Sequence, residues 1–334
     1  MQPIDGMTVL QHPEGVAEVR EIGGGRRRII VRPFDAATLV KARTCETGDP
    51  VSLIEMLLAV RGIRGLCMAV IRSDPAWVER VLHYTILGHI APDELNGGRI
   101  LDYGCGHGAS AAALGRMFPE SDVIGVDLDS RLLPIAKARC DLAGIDRVVF
   151  FAADVGESMP PTVGEVDFIV LNAVYEHLLP DARRSLLPEL WSHVRRGGVF
   201  FVADTPHRYS PIDFHTTGLP LINYLPDRLT LACARRFSRH VSRDAKWEQL
   251  LQRGIRGGTI SGIVSDLERA RDGRVQRLAP RRLGFQDEFD LWLALPKRGI
   301  PPRLARMARP SLRALKRVTG VSFMPMIAAA FRKE

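Results

Sequence analysis

The chain has 334 residues, a formal net charge of +8 and 46% hydrophobic residues. This length and apolar content are enough to bury a core, which excludes a disordered chain. No apolar run reaches the roughly 18 residues of a membrane-spanning helix, and the first residues lack the apolar stretch of a signal peptide. The five cysteines include no C-x-x-C pair, so neither a disulfide framework nor a metal site is expected. We therefore expect a cytoplasmic protein without a bound metal.

Residues 1–97 are predicted to form an N-terminal cap that is helical after an irregular start. Apolar residues recur at helical spacing in 52–60 and 74–90, and the Asp74-Pro75 pair is typical of a helix N-terminus. Only 26–31 is predicted to be a short strand. The alternative is a separate interaction module.

An apolar strand, three alternating glycines and an alanine-rich helix follow one another from Arg99 to Met117. Gly104, Gly106 and Gly108 tolerate positive φ and allow a bound molecule to lie against the backbone. The loop loosely satisfies the dinucleotide fingerprint G-x-G-x-x-G/A. By itself it therefore predicts a nucleotide or nucleoside site without deciding which one.

Strands and helices alternate after the glycine loop, which predicts a doubly wound parallel sheet. The second strand ends at Asp127, where an acidic side chain can accept hydrogen bonds from both hydroxyls of a ribose. The third strand ends at Asp154. The alternative roles are a helix N-cap for Asp127 and a plain turn for Asp154.

The acid before the first glycine and the D-x-G-C-G-x-G spacing resemble motif I of the class I S-adenosylmethionine (SAM)-dependent methyltransferases. The resemblance implies a Rossmann-like, seven-stranded, mostly parallel sheet with helices on both faces, and SAM as the cofactor. It implies that the first acid helps to place the ammonium end of SAM, that the second holds the ribose, and that the third bonds the adenine amino group. The residues it places at the cofactor are Asp102, Tyr103, Gly104, Cys105, Gly106, Gly108, Asp127, Leu128, Asp154, Val155 and Asn172.

The segment after the fourth strand bears on the substrate. It reads N-A-V-Y from Asn172 to Tyr175, whereas base-modifying and glutamine methyltransferases have D/N-P-P-Y/F there. The E-H-L that follows is similar to small-molecule O-methyltransferases of the ubiquinone-biosynthesis type. The resemblance implies a hydroxyl acceptor on a small molecule, a sugar or a lipid-linked intermediate. The alternatives are an RNA or protein methyltransferase, and a non-catalytic protein that binds SAM or NAD.

Four side chains in the loops after strands four and five are candidates for removing the acceptor's proton: His177, His215, His207 and Asp213. These loops leave the carboxyl edge of the sheet, and an imidazole with an ordinary pKa near 6.5 suits a base at neutral pH. The alternative is that the histidines only hold the loop closed. The stretch from Thr205 to Thr216 is also similar to a signature in one branch of bacterial class I methyltransferases.

The SAM-binding domain is predicted to span 98–334, with a substrate cap inserted at about 206–281 between strands five and six. Strand six is predicted at 285–295 and an antiparallel strand seven at 322–331. Residues 297–318 hold eight basic residues, no acidic ones and apolar residues at near-helical spacing, broken at Pro310. This segment either contacts the anionic inner membrane face weakly or is a solvated surface helix. Nucleic acid is disfavoured as a partner, and the oligomeric state is not predicted.

Overall fold

An N-terminal antiparallel sheet opens the computed structural model, which describes residues 7–38, 40, 42–153, 159–296 and 301–334. Its strands, in spatial order, are β1 (Met7–His12), β2 (Gly15–Gly23), β3 (Arg26–Pro33) and β4 (Thr44–Thr47). The prediction of an irregular start was wrong here, although β3 confirms the short strand. Alternate residues such as Ala17 and Val19 are buried along β2, which is the period of a strand.

Two helices join this sheet to the rest of the chain, and both were predicted. Helix α1 (Val51–Arg72) buries Leu53, Ile54 and Leu57 in the core under the N-terminal sheet. Helix α2 (Pro75–Leu87) begins after Asp74, whose side chain accepts a hydrogen bond from the Ala76 backbone N–H at 3.1 Å. Since α2 packs against the second sheet, the two helices bring the N-terminal part to the carboxyl edge described below.

The second sheet has seven strands in the order β10-β11-β9-β8-β5-β6-β7. They are β5 (Arg99–Tyr103), β6 (Asp122–Asp127), β7 (Val148–Ala152), β8 (Val166–Asn172), β9 (Val194–Pro206), β10 (Val275–Leu278) and β11 (Met326–Lys333). Only β11 runs antiparallel to its neighbours, so the predicted Rossmann-like, mostly parallel sheet is confirmed.

Helices cover both faces of this sheet, as predicted. Along β5, Ile100 packs with α2 and with α3 (Ala109–Met117), while Leu101 faces the core shared with α5 (Pro180–His193). Helix α4 (Leu133–Leu142) packs between α3 and α1. The alternation of buried side chains fixes which residues of each strand reach the carboxyl edge.

The insertion lies between β9 and β10, as predicted, and contains α6 (Asp227–Phe237), α7 (Trp247–Gln252) and α8 (Ile260–Glu268). The predicted strand six was misplaced, because 285–295 contains helix α9 (Glu288–Ala294) and the strand is β10. Asp287 caps α9 by accepting hydrogen bonds from the backbone N–H groups of Phe289 and Asp290, which stabilises a helix. Strand seven is confirmed as β11.

The basic segment forms helix α10 (Pro302–Thr319), which continues through Pro310; residues 297–300 lie outside the described residues. Arg313 pairs with Asp287, and Lys316 pairs with Glu288, so one face of α10 is held against α9. No helix in the described part of the chain is long and apolar enough to cross a membrane.

Candidate functional site

The glycine loop links β5 to α3 with three positive φ angles, of 77° at Gly104, 53° at Gly106 and 82° at Gly108. A Cβ on Gly104 would lie 2.5 Å from the Val174 side chain, and one on Gly108 would lie 2.6 Å from the Ala136 backbone. A Cβ on Gly106 would meet nothing within 4 Å. Two glycines are therefore required by packing, and Gly106 instead presents bare backbone to a cavity.

Asp127 holds the glycine loop from the neighbouring strand. It ends β6, which pairs in parallel with β5, and its Oδ2 accepts a hydrogen bond from the Gly106 N–H at 2.7 Å. Its Oδ1 accepts from the Asp129 N–H at 2.8 Å. Each carboxylate oxygen has capacity for a further donor, so the predicted contact with ribose hydroxyls is compatible with these bonds.

Asp102 lies buried beneath the loop in β5. Its Oδ2 accepts a hydrogen bond from the Ser110 hydroxyl at 2.6 Å, while its Oδ1 has no hydrogen-bond partner among the described residues. Burial raises the pKa of this carboxyl from 3.8 to about 7. A buried carboxylate oxygen without a hydrogen-bond partner destabilises the folded protein, and a nearby cationic group would offset this loss of free energy.

The raised pKa of Asp102 predicts a pH-dependent stability. Between pH 3.8, its ordinary value, and about 7, the folded protein binds this proton more tightly than the unfolded chain does. The free energy of unfolding of the ligand-free protein therefore falls as the pH rises through that window. Urea denaturation gives the free energy of unfolding of wild type and of Asp102→Asn at each pH. The value for wild type minus the value for the variant should decline as the pH rises over this range. A constant difference would show that Asp102 titrates normally.

A cavity of about 410 Å³ lies at the carboxyl edge of the large sheet. Its wall is formed by the glycine loop, α1, α2, the ends of β8 and β9, the insertion and the end of α9. Two of the lining residues have positive φ angles: Ala173, directly after β8, with 57°, and Asp204, near the end of β9, with 51°. Backbone strain of this kind in non-glycine residues is concentrated at functional sites.

Three titratable side chains meet at one side of this cavity, and we call them the Glu176–His177–His215 cluster. The Nε2 atoms of His177 and His215 each lie 3.7 Å from Oε1 of Glu176. The two imidazole rings are 5.4 Å apart, and His215 lines the cavity. Burial raises the pKa of Glu176 to about 8. Two of the four predicted proton acceptors are therefore brought together, beside a carboxyl group that was not predicted.

The other two predicted proton acceptors have structural roles. The carboxylate of Asp213 accepts hydrogen bonds from three backbone N–H groups of its own loop and from the Thr217 hydroxyl at 2.7 Å. It folds the loop and does not orient the His215 ring. The buried His207 accepts the Tyr209 N–H through Nδ1, and burial lowers its pKa to about 4. Both assignments to catalysis therefore need correction, because these side chains are used within the loop.

A family model described as a methyltransferase domain matches residues 100–198. This stretch contains the glycine loop, Asp127 and the start of the Glu176–His177–His215 cluster. The chain carries a class I SAM-dependent methyltransferase domain. SAM is the cofactor of this domain.

Known proteins share the methyltransferase domain but differ in their acceptors. A ribosomal RNA small subunit methyltransferase C of Pseudomonas entomophila is 32% identical over 133 residues, 38% of each chain. A magnesium-protoporphyrin O-methyltransferase of Rhodobacter capsulatus is 34% identical over 34% of this chain and 48% of its own. The chain thus spans less than half the length of these two relatives. The solved SAM-dependent methyltransferase SibL is 24% identical, with a TM-score of 0.42 over 67% of this chain and 57% of its own.

The predicted cofactor residues that the structure describes lie in the glycine loop, or in or directly after strands β5, β6 and β8. Gly104, Cys105, Gly106 and Asn172 line the cavity. Asp102 and Tyr103 are buried in β5, and Gly108 is the residue before α3. Asp127 ends β6, and Leu128 follows it. Asp154 and Val155 lie outside the described residues. The unmatched Oδ1 of Asp102 and the open space at Gly106 fit a ligand with an ammonium group lying against the loop.

The open space at Gly106 gives a direct test of this placement. An alanine there projects its methyl group into the cavity, so Gly106→Ala should weaken SAM binding by about 1–3 kcal/mol. The φ of 53° at this position strains an alanine backbone by about 1 kcal/mol, so the melting temperature should fall by a few degrees only. In Gly108→Ala the methyl group meets the Ala136 backbone, so stability should fall. Calorimetry and thermal melts of both variants decide this. Unchanged SAM affinity in Gly106→Ala would remove the loop from the cofactor site.

Several residues in or next to the cavity wall were missed by sequence reasoning. Met68 and Arg72 of α1 line the cavity, but nothing in their local pattern distinguishes them from other helix residues. Arg139 of α4 donates to the His107 carbonyl at 3.1 Å and pairs with Asp49, and this joins the N-terminal part to the loop. Glu176 had a signal in the E-H-L stretch, which was used only for the family resemblance.

Proposed function

We propose that the protein transfers a methyl group from SAM to a hydroxyl of a small molecule, a sugar or a lipid-linked intermediate. The observation that carries this proposal is a single cavity that reaches from Gly106 to His215. A cofactor against the glycine loop and an acceptor beside the histidine would then share one cavity. Such an arrangement supplies the alignment that an in-line displacement at a sulfonium methyl group requires.

The cavity wall favours a small acceptor over a nucleic acid. Among its described residues the wall contains one arginine, Arg72, and no lysine, whereas nucleic-acid grooves have many cations that contact phosphates. Its apolar part includes Trp77, Val81 and Trp292. A concave, mostly apolar site with a few polar groups is typical of small-molecule binding. RNA or protein methylation remains the competing proposal.

The Glu176–His177–His215 cluster is the proposed place where the acceptor hydroxyl loses its proton. His215 reaches the cavity, and the buried Glu176 lies behind it. SAM itself provides the electrophile, so the protein's task is to orient the acceptor and to move this proton.

A screen with isotope-labelled SAM tests the proposed function. Pools of hydroxylated small molecules, sugars and lipid-linked intermediates are compared with RNA and protein pools. The proposal expects label in the first set and in none of the second. Label transferred only to RNA or protein would contradict the proposal and support RNA or protein methylation instead. SAM binding without transfer to any pool would favour a non-catalytic binding protein.

Helix α10 supports a proposed weak contact with anionic lipid, which suits a lipid-linked acceptor. Leu304, Met307 and Val318 are 58%, 74% and 86% exposed, and the basic Arg306 and Arg317 are exposed on the same helix. An apolar strip flanked by cations is typical of helices that lie on anionic membranes. Sedimentation with anionic and neutral vesicles at low salt tests this proposal. Equal binding to both would leave a solvated surface helix.

A further inference from the structure

The Glu176–His177–His215 cluster has the composition of a metal site. Glu176 and His177 lie in the short 3₁₀ turn Tyr175–His177 after β8, and His215 lies in the loop after β9. One ligand atom from each of the three side chains lies within 4.8 Å of the others. We propose that this cluster binds a divalent transition-metal cation of the zinc type. Cysteine spacing predicted no metal, but these three ligands come together only in the folded chain.

The two imidazole rings are oriented as metal ligands are. Nδ1 of His177 donates to the Gln252 carbonyl at 2.7 Å, and Nδ1 of His215 donates to the Arg253 carbonyl at 3.0 Å. A carbonyl oxygen only accepts, so the proton of each neutral ring is on Nδ1 and Nε2 has the lone pair. Both Nε2 atoms face Oε1 of Glu176. Metal-binding histidines commonly donate their other ring N–H to a carbonyl in this way.

Glu176 supplies the negative charge that a cation requires. Its side chain is fully buried, and its Oε2 accepts a hydrogen bond from the Thr205 hydroxyl at 3.1 Å. Its Oε1 has no hydrogen-bond partner within the part of the chain that the structure describes. A cation between Oε1 and the two Nε2 atoms would satisfy this oxygen.

The spacing of the ligand atoms agrees with this role. Two ligands at about 2.0–2.1 Å from a tetrahedral Zn²⁺ lie about 3.3 Å apart. The observed separations between Oε1 and each Nε2 are 3.7 Å, and all three ligand atoms lie within 4.8 Å of one another. Binding of a cation therefore requires the three side chains to draw closer together. Two histidines and one carboxylate leave a coordination position for another ligand, as in catalytic zinc sites.

The use of this cation rests on the proposed function, whereas its binding does not. An acceptor hydroxyl that coordinates the cation loses its proton to solvent more readily. The oxygen then forms a bond to the SAM methyl carbon, the carbon–sulfur bond breaks, and sulfur keeps the electron pair as S-adenosylhomocysteine. The cation is not oxidised or reduced.

Calorimetry with ZnCl₂ and MnCl₂ on chelator-treated, tag-free protein tests the site. We expect one cation per chain, and at least a tenfold loss of affinity in Glu176→Gln, His177→Ala and His215→Ala. His240→Ala is the matched control, since His240 also lines the cavity but lies outside the cluster, and it should retain cation affinity. A Co²⁺-loaded sample gives a second readout, because its visible absorption reports coordination by the cluster.

Absence of saturable binding by Zn²⁺, Mn²⁺ and Co²⁺ would overturn the inference, and so would binding that survives in all three cluster variants. The conservative Glu176→Gln guards against a folding defect, and circular dichroism verifies the fold of each variant. SAM affinity is measured on the same samples. If SAM fails to bind, the proposed function fails; if only the cations fail to bind, the inference of a metal site fails alone.

Discussion

Replacing His215 with alanine should lower turnover by about 10²- to 10⁴-fold with SAM affinity and melting temperature nearly unchanged. His215 is the member of the cluster that lines the cavity, and it faces the buried Glu176 at 3.7 Å. Its removal disrupts the cluster at which the acceptor hydroxyl is proposed to lose its proton, but it leaves the glycine loop and Asp127 intact. Single-turnover rates with an identified acceptor, SAM calorimetry and thermal melts measure the three quantities.

His83→Ala is the matched control for this prediction, because His83 is an exposed histidine of α2 outside the cavity wall. It should leave turnover unchanged. If His215→Ala loses stability in proportion to its activity, the histidine holds the loop closed. If His215→Ala retains both stability and activity, the acceptor's proton is removed at another residue.

Asp127→Ala should weaken SAM binding by about 1–3 kcal/mol, roughly 5- to 150-fold in Kd. The change removes the acceptor for the ribose hydroxyls and also leaves the Gly106 N–H without the carboxylate that it now contacts at 2.7 Å. Isothermal titration with SAM measures the loss directly.

Asp129→Ala is the control for Asp127, since this neighbouring acid pairs with Arg131 and does not reach the loop. Its SAM affinity should equal that of wild type. An Asp127→Ala variant that also retains full affinity would contradict the placement of the ribose.

Sequence reasoning predicted most of the central sheet because its signals are local. The glycine loop, Asp127 at the end of β6 and the alternation of strands with helices depend on neighbouring residues. The same reasoning wrongly predicted a strand at 285–295. Its apolar residues at 291–295 are compatible with either a strand or a helix. The Asp287 cap and the burial of Phe289 and Trp292 favour the helix.

The candidate site was predicted less completely, because several of its residues meet only through long-range packing. Arg72 and Met68 reach the cavity because α1 packs between the N-terminal sheet and α4. Asp213 resembled a catalytic acid because of its nearness to His215 in sequence. In the fold its oxygens are occupied by the backbone of its own loop.

Calorimetry with SAM, S-adenosylhomocysteine and NAD on the wild-type protein tests the central claim most directly. Asp102, Gly106 and Asp127 are assigned to a SAM site, so SAM and S-adenosylhomocysteine should each bind with one molecule per chain, and NAD should not bind. Binding of NAD in place of SAM, or failure of both SAM and S-adenosylhomocysteine to bind, would contradict the account.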